Sequence, residues 1–390
     1  MKWSKLDSSK LLKKRKPKAF ERMDRKSLKS PESITIAVTG HCNLSCKYCF
    51  YADEMVALKD LPTKHWLDFF SEARNAGVMK ITLSGGEVFA RKDIFELIDG
   101  IIKNKMRFNV LTNGTLITAD IARALARVRQ RCDYIQVSLD GSKPETHDAI
   151  RGKGSFKLMM RGIENLKKHN LPWTVRVTIN KLNVQDLEAI LDLLYKKLEL
   201  KKFGVNEAFP RGAGHCNHST LEMSKEERRY AFRVMQDFDK VHPGVAAGAA
   251  SGPLVIANLI NKIDDARQGE KSDFPYKTGY LTGCNIMWKD LSVLHDGTYV
   301  PCHQLPQINL GMVGKDSLLG VWRNSPGLVE LRKRHEITLS SIPHCQNCDY
   351  IKYCTGGCPG VAHAITGDVN TINPLDCYRA YIGEDPIYDY

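Results

Sequence analysis

Short apolar runs alternate with amphipathic stretches along the first half of the chain. Ile34-Thr-Ile-Ala-Val38 is β-branched and bounded by Pro31 and Gly40, which predicts a strand. Trp66, Phe69, Phe70 and Ala73 recur at i, i+3, i+4 and i+7, one core-facing side of a helix closed by Gly77. The same alternation predicts strands at 79–83, 108–111, 134–138, 174–179 and 203–205, with helices near 94–105, 119–129, 156–169 and 187–198. Six such units predict an α/β fold of sequential parallel strands joined by right-handed crossovers, curling into a partial (β/α)6 barrel. Loops that follow the strands then gather at one face. The chain divides into a basic segment at 1–33, this core at 34–210, a helical bridge at 211–280 and a cysteine-rich domain at 281–390.

The loops at the predicted strand ends carry the chemistry. The first is Cys42-Asn-Leu-Ser-Cys46-Lys-Tyr48-Cys49. Three thiolates so close together can hold three irons of a [4Fe-4S] cluster and leave the fourth iron open to substrate. A zinc loop or three reduced core thiols is the competing reading, but zinc usually takes four ligands and only His41 stands nearby. The second loop is Ser84-Gly85-Gly86-Glu87, where glycines let the backbone approach a ligand and Glu87 can accept hydrogen bonds from an ammonium group. The third ends in Asn113-Gly114, and the fourth runs from Ser138 through Asp140-Gly141 to Arg151. The competing reading is that Asp140-Gly141 is a turn and Arg151 a surface cation. Glu207 and Arg211 follow the last strand, and Glu207 suits either a substrate-side acid or a loop salt bridge.

The CxxxCxxC spacing, with Tyr48 before the last cysteine and Gly-Gly-Glu one strand later, resembles the signature of radical S-adenosylmethionine (SAM) enzymes. The resemblance implies that the open iron chelates SAM and that one electron releases a 5′-deoxyadenosyl radical. Cys42, Cys46 and Cys49 would then be catalytic and cluster-binding, and Tyr48, Gly85, Gly86 and Glu87 would contact SAM. Ser138 and Arg151 would bind its methionine carboxylate, and Asn113 would lie near its ribose. The later pattern Cys284-x12-Gly297-x4-Cys302, then Cys345-x2-Cys348-x5-Cys354-x3-Cys358 and Cys377, resembles the SPASM extension, which carries two auxiliary clusters. By that resemblance Cys345, Cys348, Cys354 and Cys377 hold the outer cluster, while Cys358 joins Cys284 and Cys302 on the inner one. Three [4Fe-4S] clusters are thus expected. The inner set is one ligand short: either Cys216 completes it, or the site is open or takes a non-cysteine ligand. The Gly-rich setting of Cys216, far upstream, favours the latter. Cys132 reads as a core thiol.

Composition narrows the setting. The chain is 43% apolar and 26% charged, ordinary for a globular protein. Its longest uncharged run, 244–260, contains Gly248, Ser251, Gly252 and Pro253, so no membrane partner is expected. The N-terminal segment is too charged to read as a signal peptide, so the twelve cysteines are expected to serve metal sites in a reducing cytoplasm. Residues 1–30 carry twelve Lys or Arg against three acids, about +9 of the net charge of +13. This reads as a solvated lead-in rather than a nucleic-acid arm.

The resemblance implies hydrogen abstraction from an unactivated C–H bond, with the protein setting orientation. Sulfatase maturases carry an acidic residue after the cysteine equivalent to Cys302; here His303-Gln304 follows, and His303 could accept a proton near neutral pH. The expected reaction is dehydrogenative cross-linking of a ribosomally made peptide. Sulfatase-type oxidation and tetrapyrrole modification are the enzyme alternatives, and an iron–sulfur electron carrier is the non-enzymatic one. Expected partners are a peptide or protein substrate and an external flavodoxin- or ferredoxin-type electron donor. Only 33 residues precede the first strand, so leader recognition falls to the basic arm, the bridge or a separate leader-binding protein.

Overall fold

The computed structural model describes residues 28–248, 251–267, 277–286 and 288–382. Most of the basic segment therefore lies outside the described residues. Six strands follow one another in parallel: β1 (Ser33–Ala37), β2 (Lys80–Ser84), β3 (Arg107–Thr112), β4 (Cys132–Ser138), β5 (Trp173–Ile179) and β6 (Phe203–Glu207). They match the predicted units, with boundaries displaced by a residue or two. The final strand runs two residues further than expected, so Glu207 is its last member rather than a loop residue.

The sheet continues at both edges. Beyond β6 lies β7 (Ala246–Gly248), also parallel. The bridge is therefore not purely helical. On the other side β8 (Asp290–Val293) pairs parallel with β1, and β9 (Thr298–Val300) and β10 (Gly311–Met312) extend it antiparallel. The order β10-β9-β8-β1-β2-β3-β4-β5-β6-β7 is an open ten-stranded sheet. Strand β1 is central, which explains its β-branched content and the complete burial of Ile34 and Ile36.

Helices cover the sheet as their periodicity predicts. Helix Thr63–Ala76 buries Trp66, Phe69, Phe70 and Ala73, and it ends at Gly77 in the left-handed conformation. Cys132 opens β4 and is buried in the main core. Because β1 to β6 are parallel, the loops after them lie along one edge. No helix among the described residues is long and apolar enough to cross a membrane.

Candidate radical SAM and iron–sulfur sites

The cysteine loop is stitched to its neighbours from several sides. Asp60 accepts from Thr39 Oγ1 at 2.6 Å and from the Gly40 amide at 2.8 Å, anchoring the exit from β1. Asn43 Nδ2 donates to Thr115 Oγ1 at 2.8 Å, and the Lys47 amide donates to the Ile150 carbonyl at 3.0 Å. Cys42, Cys46 and Cys49 are half-buried free thiols. Burial raises the pKa of each, Cys49 to about 11; neighbouring thiols add to the rise at Cys42 and Cys49, and Asp140 adds to it at Cys46. Such thiols become thiolates when a cationic group takes the charge.

The glycine loop makes its close approach to protein. A Cβ on Gly85 would stand 2.5 Å from the Thr39 carbonyl oxygen, and one on Gly86 would stand 2.3 Å from that of His41. The amides of Gly86 and Glu87 donate to those same two carbonyls at 2.8 Å. The two loops are thus laid backbone on backbone, which only glycine permits.

Glu87 is likewise held by protein groups. Its side chain is fully buried, and its carboxylate already accepts from Thr112 Oγ1 at 2.7 Å, the Asn113 amide at 2.8 Å and the Phe89 amide at 3.1 Å. Burial raises its pKa while these donors oppose the rise. Its observed task is to tie the end of β2 to the end of β3. Asn113 in turn points Nδ2 at Asn43 Oδ1, 3.0 Å away, and at Cys42 Sγ, 4.0 Å away.

Arg151 is not a surface cation. It is buried, pairs through Nε with Asp140 and through Nη2 with the Tyr48 hydroxyl, and approaches Cys46 Sγ at 3.9 Å with Nη1. Tyr48 also donates to Asp140 at 2.6 Å. Asp140, fully buried, is the residue that sequence reasoning missed by reading it as half of a turn. A carboxylate directly after a buried strand and eleven residues before an arginine was the available signal. Ser138 ends β4 opposite Arg176 of β5, half-buried and outside this network.

The C-terminal cysteines fall into two groups. Cys284, Cys302 and Cys358 form the first: after burial as the largest cause, Cys358 and Cys302 raise the pKa of Cys284, and Cys358 raises that of Cys302, which is pushed to about 12. Cys345, Cys348, Cys354 and Cys377 form the second group, where burial first and neighbouring thiols next raise Cys345 and Cys377 to about 12. Cys354 also accepts from the Gly356 amide at 3.4 Å. Cys216 is exposed on the short helix Ala213–Cys216, whose first amide donates to the Cys49 carbonyl at 2.9 Å. Among the described residues no three His, Cys, Asp or Glu side chains stand close enough for a single metal ion. Thiolates are the ligands that iron–sulfur clusters take, so the chemistry of the donor set suits such groups.

Two further residues change standing. His303 is buried, bonds the Val293 carbonyl through Nε2 at 3.1 Å, and burial pushes its pKa down to about 4. That makes it a poor proton acceptor at neutral pH. Glu207 accepts from Arg228 Nε at 2.8 Å, the salt-bridge reading, yet it also lines a cavity of about 250 Å³ with Phe209, His218, Glu222, Arg228 and Leu375. Arg211 joins the regions, donating to the Phe50 carbonyl at 2.8 Å and the His303 carbonyl at 3.4 Å while pairing with Glu54.

Residues 36–194 match the radical SAM superfamily, and residues 284–349 match the SPASM iron–sulfur cluster-binding domain. The chain is 29% identical over 357 residues to an AdoMet-dependent heme synthase of Methanosarcina barkeri, covering 90% of this chain and 97% of that protein. It is 26% identical over 361 residues to a PqqA peptide cyclase of Ruegeria pomeroyi, covering 90% and 88% respectively. The fold superposes on SuiB of Streptococcus suis, solved with its precursor peptide SuiA, with a TM-score of 0.65 over 89% of this chain and 76% of that one, at 17% identity. The cofactors of this architecture are SAM and [4Fe-4S] clusters. The chain belongs to the radical SAM superfamily and carries a C-terminal SPASM domain.

Proposed function

We propose that this chain is a cytoplasmic oxidoreductase that removes hydrogen from a ribosomally made peptide and closes an intramolecular thioether or carbon–carbon cross-link. The observation that carries the proposal is the joint presence of the three-thiol loop at the end of β1 and two further thiol groups in the C-terminal domain. Similarity along 90% of the chain to a PqqA peptide cyclase supports a peptide substrate.

In this reading Cys42, Cys46 and Cys49 hold a [4Fe-4S] cluster, and Cys345, Cys348, Cys354 and Cys377 hold the outer auxiliary one. Cys284, Cys302 and Cys358 hold the inner cluster. When bound, SAM and the first cluster supply the 5′-deoxyadenosyl radical. The chain's own residues position and shield. Gly85 and Gly86 fix the two loops at one spacing, and with Glu87 they would meet the SAM ammonium group. Asp140 and Tyr48 hold Arg151 beside Cys46, where its cation offsets thiolate charge and attracts the SAM carboxylate. Ser138 and Asn113 complete the cofactor rim. The cavity beside Glu207 and Arg228 is a candidate substrate approach, where burial raises the pKa of Glu207 and Arg228 opposes the rise. A flavodoxin- or ferredoxin-type donor supplies electrons, and a separate protein or the basic segment recognises a leader.

A second reading, tetrapyrrole modification, is favoured by the similarity to the heme synthase. The two separate in one experiment. A short peptide encoded beside the gene is co-produced with the enzyme without oxygen and weighed. A product two hydrogens lighter per modified site supports cross-linking. An unchanged peptide together with turnover of an iron porphyrin contradicts it.

A further inference from the structure

The inner thiol group has three cysteines and, beside them, a buried cation that no carboxylate among the described residues neutralises. Arg334 sits in the short helical turn Lys333–Glu336 and is 0% exposed. Its Nη2 donates to the Thr371 carbonyl at 3.1 Å, but Nε and Nη1 have no hydrogen-bond partner among the described residues. No carboxylate among the described residues pairs with it. Asp368, whose charge also acts on Arg334, is exposed and accepts from the Asn370 amide instead. The other charges acting on Arg334 are the thiols of Cys284 and Cys358.

A guanidinium with two idle donors is costly to bury unless an anion faces it. A four-iron core held by three thiolates is such an anion, and reduction adds to its negative charge. We propose that Arg334 faces the inner auxiliary cluster, donating hydrogen bonds from Nε and Nη1 to its sulfur atoms and offsetting its charge. This rests on the reading that Cys284, Cys302 and Cys358 hold that cluster. Arg334 is then a tuning residue. Hydrogen bonds to sulfur and a nearby positive charge both favour the reduced state, so Arg334 raises the cluster's reduction potential.

The test uses the full chain, reconstituted without oxygen, as wild type, Arg334→Lys and Arg334→Met. Iron and sulfide are counted, and the auxiliary clusters are titrated by EPR in a Cys42→Ala, Cys46→Ala, Cys49→Ala background. The expected result is an undiminished iron count in Arg334→Met with one auxiliary potential moved to a more negative value. Arg334→Lys, which keeps the charge but loses the fork, should fall between. Both potentials unchanged at full iron content would overturn the proposal, since a purely structural arginine alters melting and leaves the potential alone. If Arg334→Met fails to retain iron, Arg334→Lys decides on the same criterion. A wild-type chain in that background with iron for only one cluster would instead remove the inner cluster itself, and the proposal with it.

Discussion

At the residue scale, the most consequential pair is Asp140 and Arg151. Both are buried, and the arginine's planar fork is divided among a carboxylate, a phenol and a cysteine sulfur. Removing one partner of a buried pair leaves an uncompensated charge, which costs about 3–5 kcal/mol. Asp140→Asn should therefore lower the melting temperature of the protein and reduce SAM cleavage at least ~10-fold as Arg151 loses its anchor. Wild-type 5′-deoxyadenosine yield in that variant would show that Arg151 is positioned by something else. His147 offers a pH-dependent counterpart. Its Nδ1 accepts from the Asp140 amide at 3.2 Å, and burial lowers its pKa from 6.5 to about 4. The folded state keeps this imidazole neutral while the unfolded chain protonates near 6.5. Its contribution to stability is therefore complete above that value and lost as pH falls through about 4. The span is worth on the order of 3 kcal/mol. His147→Gln should flatten the acid side of a plot of melting temperature against pH between those two values, and an unaltered acid limb would count against this assignment.

At the scale of elements, the sequence was legible where the signal is local. Three thiols at fixed spacing and the Gly-Gly-Glu run are contiguous, as is the helix face from Trp66 to Ala73. What escaped depends on contacts between distant segments. The Glu87 carboxylate is claimed by Thr112 and Asn113 from the next strand, and no property of Gly-Gly-Glu alone reveals that. The strands β7 to β10 have two to four residues each, too few to show a period of two. Their consequence is testable. Strand β8 covers one edge of β1, pairing Ser33 through Ile36 with Asp290 through Val293. A fragment ending at residue 280 would leave that edge open and its apolar side chains exposed. It should be insoluble or melt without cooperativity, whereas a soluble fragment melting like the full chain would show that the two regions fold independently.

At the scale of the whole molecule, the C-terminal region is built into the core rather than appended to it. Leu318 and Trp322 illustrate this: the Leu318 amide donates to Glu72 at 2.7 Å, and Trp322 Nε1 donates to the Leu28 carbonyl at 2.7 Å. Arg211 links the loop beside Cys49 to the segment after Cys302. The three thiol groups are thereby held in one framework, as a reaction that delivers a radical and then removes an electron requires. The central claim is that the loop at the end of β1 holds the cluster that cleaves SAM. The measurement that tests it most directly is 5′-deoxyadenosine formation by the reduced protein, wild type against Cys42→Ala, with iron counted in both. The account predicts that the variant loses all cleavage while keeping the iron of its auxiliary clusters. Sustained 5′-deoxyadenosine formation by Cys42→Ala would contradict it.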